Sequence, residues 1–260
     1  MADDAARRLF EKFNEPVIPM ASIEKWLGRF EESDRPAAIK LLEQIEFHSQ
    51  PRLIRETRML HERVRKRLAA GGFDAEGLSD VDFSREFTCK SGDVVSYIYR
   101  RANLIPTADF RTFDELSRLT EKNHDDFSNR ALIILDDYIG TGSQFLFHFI
   151  GRNEEDIRVV KSYKKLYLVC YIVHQSALEK FWMLADGMID EVIERGQKDF
   201  PDIDFSEDFG LLRRLLSLPD WRNIELIYLD VDVPLLSDEN KFLNDEDRKE
   251  IERLLEKLCH

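Results

Sequence analysis

Eight consecutive apolar residues, Leu166–Val173 (LYLVCYIV), constrain this chain more than any other feature. A strand with one wet face alternates apolar and polar residues, so an unbroken run must be covered on both faces. Ala131–Leu135 is a second such run, and Ile224–Val231 reads as a further strand. Segments with helical spacing lie between them. Buried strands alternating with helices predict an α/β fold, a mainly parallel sheet flanked by helices. The run at Leu166 is far too short to span a bilayer. A chain of 260 residues suits one such domain with an appendage.

The appendage is predicted at the N-terminus, over residues 1–72. Ser22 is placed to cap a helix carrying Ile23, Trp26, Leu27 and Phe30. Pro36 suits the start of the next, with Ile39, Leu42 and Ile45 on its inner face. Ser49-Gln50-Pro51 interrupts the pattern, and a basic helix follows with Leu53, Leu60, Val64 and Leu68 inward, ended by Gly71-Gly72. The core is expected over 73–237, with a first strand at 80–87, a break at Cys89-Lys90-Ser91-Gly92-Asp93 and a helix to Arg101. Residues 104–130 read as a long polar loop with one helical turn near Phe113–Leu119. Ser143–Ile150 reads as an apolar helix, and Ser176 with Glu179 spells a capping box. Residues 238–260 are expected to form a last helix packing on the core, capped by Asn244 and Asp247, with Ile251, Leu254, Leu255 and Leu258 inward.

Charge and cysteine usage narrow the function. A net charge of −13 makes a general nucleic-acid binder a poor fit, because neutralising phosphates supplies most of that affinity. Arg52, Arg55, Arg58, Arg63, Arg65, Lys66 and Arg67 nonetheless crowd one stretch, opposed only by Glu56 and Glu62. Two readings stand: a solvated helix face, or a docking face at 52–67 for a regulatory protein or nucleoprotein partner. Cys89, Cys170 and Cys259 are odd in number and unclustered, as expected of reduced thiols in the cytoplasm, and no secretory signal or membrane span is visible.

The chemistry concentrates in Leu132-Ile-Ile-Leu-Asp136-Asp137-Tyr-Ile-Gly140-Thr141-Gly142-Ser143-Gln144. A buried strand ends on two carboxylates, and a turn with two glycines opens a helix. Ligands of open α/β sheets bind beyond the carboxyl ends of the strands. Asp136 and Asp137 there suit a ribose diol, whose hydroxyls need acceptors. The turn Gly140–Ser143 can gather backbone N–H groups at a helix N-terminus, which suits a phosphate, and the Thr141 and Ser143 hydroxyls add donors. Diol acceptors followed by a phosphate cradle describe a 5-phosphoribosyl group. The bland alternative is a strand end followed by a plain turn.

This segment resembles the signature of type I phosphoribosyltransferases, and Asp-Asp-x-Ile-Gly-Thr-Gly-x-Gln resembles the PRTase-CE group, phosphoribosyltransferase-like proteins proposed as effectors in bacterial conflict and anti-phage defence. Trp26, the helix end Leu41–Ser49, and Lys90-Ser91-Gly92 ahead of Tyr97, Tyr99 and Arg100 carry the same resemblance. It implies that Asp136 and Asp137 take the ribose hydroxyls, that Gly140, Thr141, Gly142 and Ser143 hold the 5-phosphate, and that Lys90, Ser91 and Gly92 form the loop meeting pyrophosphate. Gln144 stands where ordinary members place Ser or Thr. The resemblance further implies phosphoribosyl diphosphate or a related sugar phosphate as ligand, Mg²⁺ with the diphosphate, a flexible lid at 104–130, and glycosyltransferase chemistry at C1. The fold also serves regulators that sense the sugar phosphate without turning it over, and that alternative stays open.

Other motifs carry less. Asp230-Val231-Asp232 spells the nucleophile motif of dehalogenase-like phosphatases, but only 27 residues remain after Val233, too few for the other parts of that site. It reads instead as a strand-end pair at the ligand edge. His124-Asp125 lacks metal-ligand spacing. His148 reads as a packed histidine, and His174 as a strand-end histidine with either a structural or a ligand role. Trp26, Phe181 and Trp182 read as core or interface aromatics.

Overall fold

The computed structural model describes residues 8–9, 18–44, 50–85, 90–122, 124–140, 142, 154–199, 220–232 and 245–259. In chain order the helices and strands are α1 (Met20–Leu27), α2 (Arg35–Gln44), α3 (Gln50–Ala70), β1 (Val81–Arg85), α4 (Lys90–Ala102), β2 (Phe110–Arg111), α5 (Phe113–Lys122), α6 (His124–Phe127), β3 (Ala131–Leu135) and β4 (Tyr138–Ile139). They continue with α7 (Glu154–Ser162), β5 (Lys165–His174), α8 (Gln175–Ala185), α9 (Ile189–Asp199), β6 (Ile224–Asp232) and α10 (Asp245–Cys259). The expected helix at Ser143–Ile150 lies outside the described residues.

All six strands pair in parallel. β5 is the central strand, buried along most of its length. β3 and β4 lie along one side of it and β6 along the other, while β1 and β2 continue the sheet beyond β3. The unbroken apolar runs are therefore strands covered on both faces. One face carries a core of Leu132, Ile134, Leu166 and Leu168 packed with α5, α7 and α8 through Leu116, Ile157, Phe181 and Leu184. No helix among the described residues is long and apolar enough to cross a membrane.

The chain divides into two compact units, Met1–Arg55 with Val233–His260, and Glu56–Asp232. This differs from the boundary expected at Gly71-Gly72. From Thr57 onward α3 belongs with the sheet, because Thr57, Leu60, His61, Val64 and Leu68 are buried. Thr57 Oγ1 bonds the Tyr171 hydroxyl, His61 bonds Tyr99, and Tyr167 donates to the Arg67 carbonyl at 3.2 Å. The last helix also departs from expectation. Within the first unit α10 packs on α1 and α2, where Leu254 joins Ile23, Leu27, Ala37 and Ala38. Lys40–Glu250 at 3.2 Å and Arg253–Asp34 at 3.5 Å flank that contact.

Residues 104–130 are more ordered than the long polar loop expected, and the helical turn read near Phe113–Leu119 is α5. A 3-10 turn at Thr107–Asp109, β2, α5 and α6 fill the stretch. Phe113, Leu116, Thr120 and Phe127 are buried and supply its inner face, so the abundant polar residues are simply its outer one. Its start signal is a reciprocal cap: Glu115 N–H donates to Thr112 Oγ1 at 3.2 Å, and Thr112 N–H to Glu115 Oε2 at 2.8 Å.

The docking of α3 has a pH signature. The Tyr99 hydroxyl, fully buried and pushed up by burial and by Tyr171, stays protonated and shares a hydrogen bond with His61 Nδ1 at 2.8 Å. Burial first, then the charge of Arg65, lowers the His61 pKa below its ordinary 6.5, against a smaller upward pull from Glu62. The folded state therefore binds fewer protons than the unfolded chain just below pH 6.5. The stabilisation is complete above that pH and is lost as pH falls through the window beneath it. Melting temperature measured from pH 8 to 5 is expected to drop below 6.5, and Phe in place of His61 to flatten that limb; an unchanged slope would remove His61 as its source.

Candidate functional site

The two carboxylates sit where the strand at the sheet centre is interrupted but not displaced. Leu135 pairs with Val169 and Tyr138 with Ile172, so β3 and β4 run in one register along β5. Asp136 N–H donates to the Val169 carbonyl at 2.9 Å, and Tyr171 N–H to the Asp137 carbonyl at 3.2 Å. β3 thus ends at the acids, as the sequence reading has it, and pairing along β5 resumes beyond them in β4. Asp136 is buried at 7% exposure and Asp137 is half-buried. One oxygen of each is held by the next backbone N–H: Asp136 Oδ1 by Asp137 at 2.8 Å, and Asp137 Oδ1 by Tyr138 at 3.0 Å. Those bonds orient the two adjacent carboxylates.

The turn beyond them is tied to α8. Gly142 has φ +77°, and a Cβ there would lie 3.1 Å from the Ala177 Cβ and 3.2 Å from its Cα. Both the left-handed backbone and the close approach require glycine. Gly140 and Gly142 are therefore placed together beyond the acids, whereas Thr141, Ser143 and Gln144 lie outside the described residues. Cys170, buried between the acids and Ala177, has its thiol pushed up by burial and then by the Asp136 charge, which leaves it an inert packing group.

His174, at the end of β5, serves structure. Its Nδ1 accepts from Ser176 N–H at 3.2 Å and bonds the Ser176 hydroxyl at 2.7 Å, so it is the cap of α8. The expected capping box at Ser176 is displaced by two residues, because an imidazole nitrogen takes the acceptor role. Asp230 and Asp232 stand in register with Ile172 and His174, which puts their backbone at the carboxyl edge of the sheet. Lys90, Ser91 and Gly92 are the first turn of α4, in place of the loop expected.

The basic run is largely engaged by the chain itself. Arg63 donates to the Tyr228 and Leu229 carbonyls. Arg65 pairs with Glu62 at 3.1 Å and with Glu76, and Arg67 with Glu225 at 3.1 Å. Neither Arg52 nor Arg55 is free. Arg63 and Arg67 are thus matched by carbonyls and an acid distant in sequence, which a sequence reading of local charge misses. Sequence reasoning also passed over Lys180, which is 1% exposed in α8.

A family model, PRTase-CE, matches residues 23–194, more than half of the chain. No curated protein matches it.

Proposed function

This chain belongs to the PRTase-CE family and is phosphoribosyltransferase-like, and on that premise we propose that it binds a 5-phosphoribosyl group, as phosphoribosyl diphosphate with magnesium, and acts at C1. The observation that carries the reading is the pair Asp136–Asp137 held on the central strands, with the Gly140–Gly142 turn pressed against α8 directly beyond them. Asp136 and Asp137 accept the ribose hydroxyls and fix the ring, and the turn takes the 5-phosphate.

The bond from C1 to the diphosphate oxygen breaks, and its electron pair leaves with the diphosphate. The acceptor's lone pair forms the new bond to C1, and the acceptor loses its proton. Positive charge on the ring peaks between those events, and two fixed carboxylates stabilise it. Carboxylate oxygens are the hard donors magnesium prefers, and among the described residues no three His, Cys, Asp or Glu gather to cage a metal. In this proposal the ion enters with the diphosphate, as part of the substrate. The sequence resemblance supplies the biological part: an effector in bacterial anti-phage defence, restrained by a partner.

A second reading, a sensor that binds without turnover, is favoured by one observation: Lys90–Gly92 are already helical, so the backbone there offers a diphosphate first-turn N–H groups in place of an enclosing loop. Incubation with phosphoribosyl diphosphate and Mg²⁺, followed for pyrophosphate, separates the two. Release is expected for the enzyme. A rise in melting temperature without release marks the sensor, and neither response at millimolar ligand sinks both.

A further inference from the structure

Asp82 of β1 is 1% exposed, and both of its oxygens are taken. Arg111 Nη1 donates to Oδ1, Arg130 Nε donates to Oδ2 at 2.7 Å, and the Tyr163 hydroxyl donates to Oδ2 at 3.2 Å. Arg130 Nη1 is taken by the Ser79 carbonyl at 3.0 Å. A guanidinium carries its N–H donors in a rigid planar fork, so these bonds fix the forks without using them up. Nη2 of both arginines, and Nε of Arg111, meet no acceptor among the described residues. Both arginines line a cavity of about 430 Å³, whose other described walls are Leu119, Asp126 and Phe127. That volume falls in the range of small-molecule sites, roughly 300–1,000 Å³.

The charge at the inner wall is positive, because one buried acid faces two guanidiniums. Asp80, whose charge also reaches Arg130, is turned to the Asp74 N–H at 3.0 Å. Asp126 is exposed, where water and salt screen it. The Arg130 guanidinium lies over the Phe127 ring at 6.0 Å, so the cation rests on an apolar floor. Arginines already held by a buried acid lose little side-chain entropy when an anion binds them. This place is apart from the carboxylate pair: Arg130 precedes β3 and Asp136 follows it, about 20 Å along the strand.

We propose that the cavity is a second ligand site, for a small organic oxyanion: Arg111 and Arg130 together hold its carboxylate or phosphate, and its apolar portion lies against Leu119 and Phe127. The inference stands independently of the phosphoribosyl reading. It is tested by calorimetry and thermal melting at low ionic strength, with phenyl phosphate and benzoate as probes, neither of which carries a ribose diol. Wild type is expected to bind at least one of them at millimolar concentration, and the one preferred tells phosphate from carboxylate. Arg111→Met is expected to fold and to bind that probe at least about tenfold more weakly. Asp126→Asn is expected to bind it at least about twofold more tightly, since a like charge leaves the wall of the site. Asp136→Asn with Asp137→Asn is expected to bind it as wild type does. Failure of wild type to bind either probe overturns the inference, as does wild-type affinity in Arg111→Met. Loss of binding in the Asp136, Asp137 variant also overturns it, because the probe then sits at the sugar site. If Arg111→Met does not fold, Asp126→Asn decides: tighter binding upholds the site, and unchanged or weaker binding overturns it.

Discussion

Replacing Asp136 and Asp137 together by Asn is expected to abolish the response to phosphoribosyl diphosphate and to leave the fold standing. Any turnover should fall at least a hundredfold, the order associated with removing one preorganised stabilising group. A ligand present at a hundred times its Kd adds about 2.7 kcal/mol to the folded state, so the melting rise in wild type is easily read and its loss in the variant equally so. The cost to the unliganded protein should stay near 1 kcal/mol. Asn keeps the oxygen that accepts the next residue's N–H, so the bonds at 2.8 and 3.0 Å survive, and repulsion between neighbouring charges disappears. Asp137→Asn alone should perturb the unliganded protein least, because Asp137 is the more open of the two. Scanning fluorimetry with and without ligand, alongside pyrophosphate release, measures all of this. A double variant with full response would exclude the pair as the sugar site.

What was legible in the sequence was what depends on short-range pattern. The runs at Ala131 and Leu166 announced strands covered on both faces, and they pair in parallel at the sheet centre. The acids and glycines after Leu135 announced a turn at the carboxyl edge of the sheet, and Gly142 has the positive φ and close contact that glycine alone tolerates. What was illegible depends on partners remote in the chain. Arg67 finds Glu225, and the Arg63 guanidinium finds the Tyr228 and Leu229 carbonyls, so a basic run reads as a free surface until the sheet brings β6 beside α3. The placement of α10 on α1 and α2 was hidden for the same reason, since an amphipathic helix does not name the face it covers. Residues 104–130 are harder to read for a local reason instead: the Thr112–Glu115 capping box opens the helix legible near Phe113–Leu119, while the polarity around it hides β2 and α6. Lys180 defeats pattern reading altogether, because a lysine between Ala177 and Leu184 looks like the rim of a helix face and is in fact inside it.

The largest loss of stability is expected at Asp82, a residue that no motif singles out. It lies on β1 at 1% exposure and joins three segments. Arg111 of β2 donates to its Oδ1, Arg130 Nε to its Oδ2 at 2.7 Å, and the Tyr163 hydroxyl to Oδ2 at 3.2 Å. Burial and then the Asp82 charge push the Tyr163 phenol well above its ordinary range, so it stays a donor at every accessible pH. Exchanging the entire cluster for apolar groups need not destabilise, but removing its one anion takes from two part-buried guanidiniums and a phenol the carboxylate they share, with Arg130 keeping the Ser79 carbonyl at 3.0 Å. Asp82→Ala is therefore expected to cost about 3–5 kcal/mol, a large share of the 5–15 kcal/mol that folds an ordinary domain. Arg111→Met should cost less, because the Arg111 side chain is 31% exposed and Asp82 keeps Arg130 and Tyr163 as donors. Urea unfolding of both variants checks the order as well as the size. A loss below 1 kcal/mol at Asp82, or a larger one at Arg111, would show that the edge strand β2 and the start of β3 are held to β1 by their backbone ladder and apolar packing, with the ion cluster contributing little.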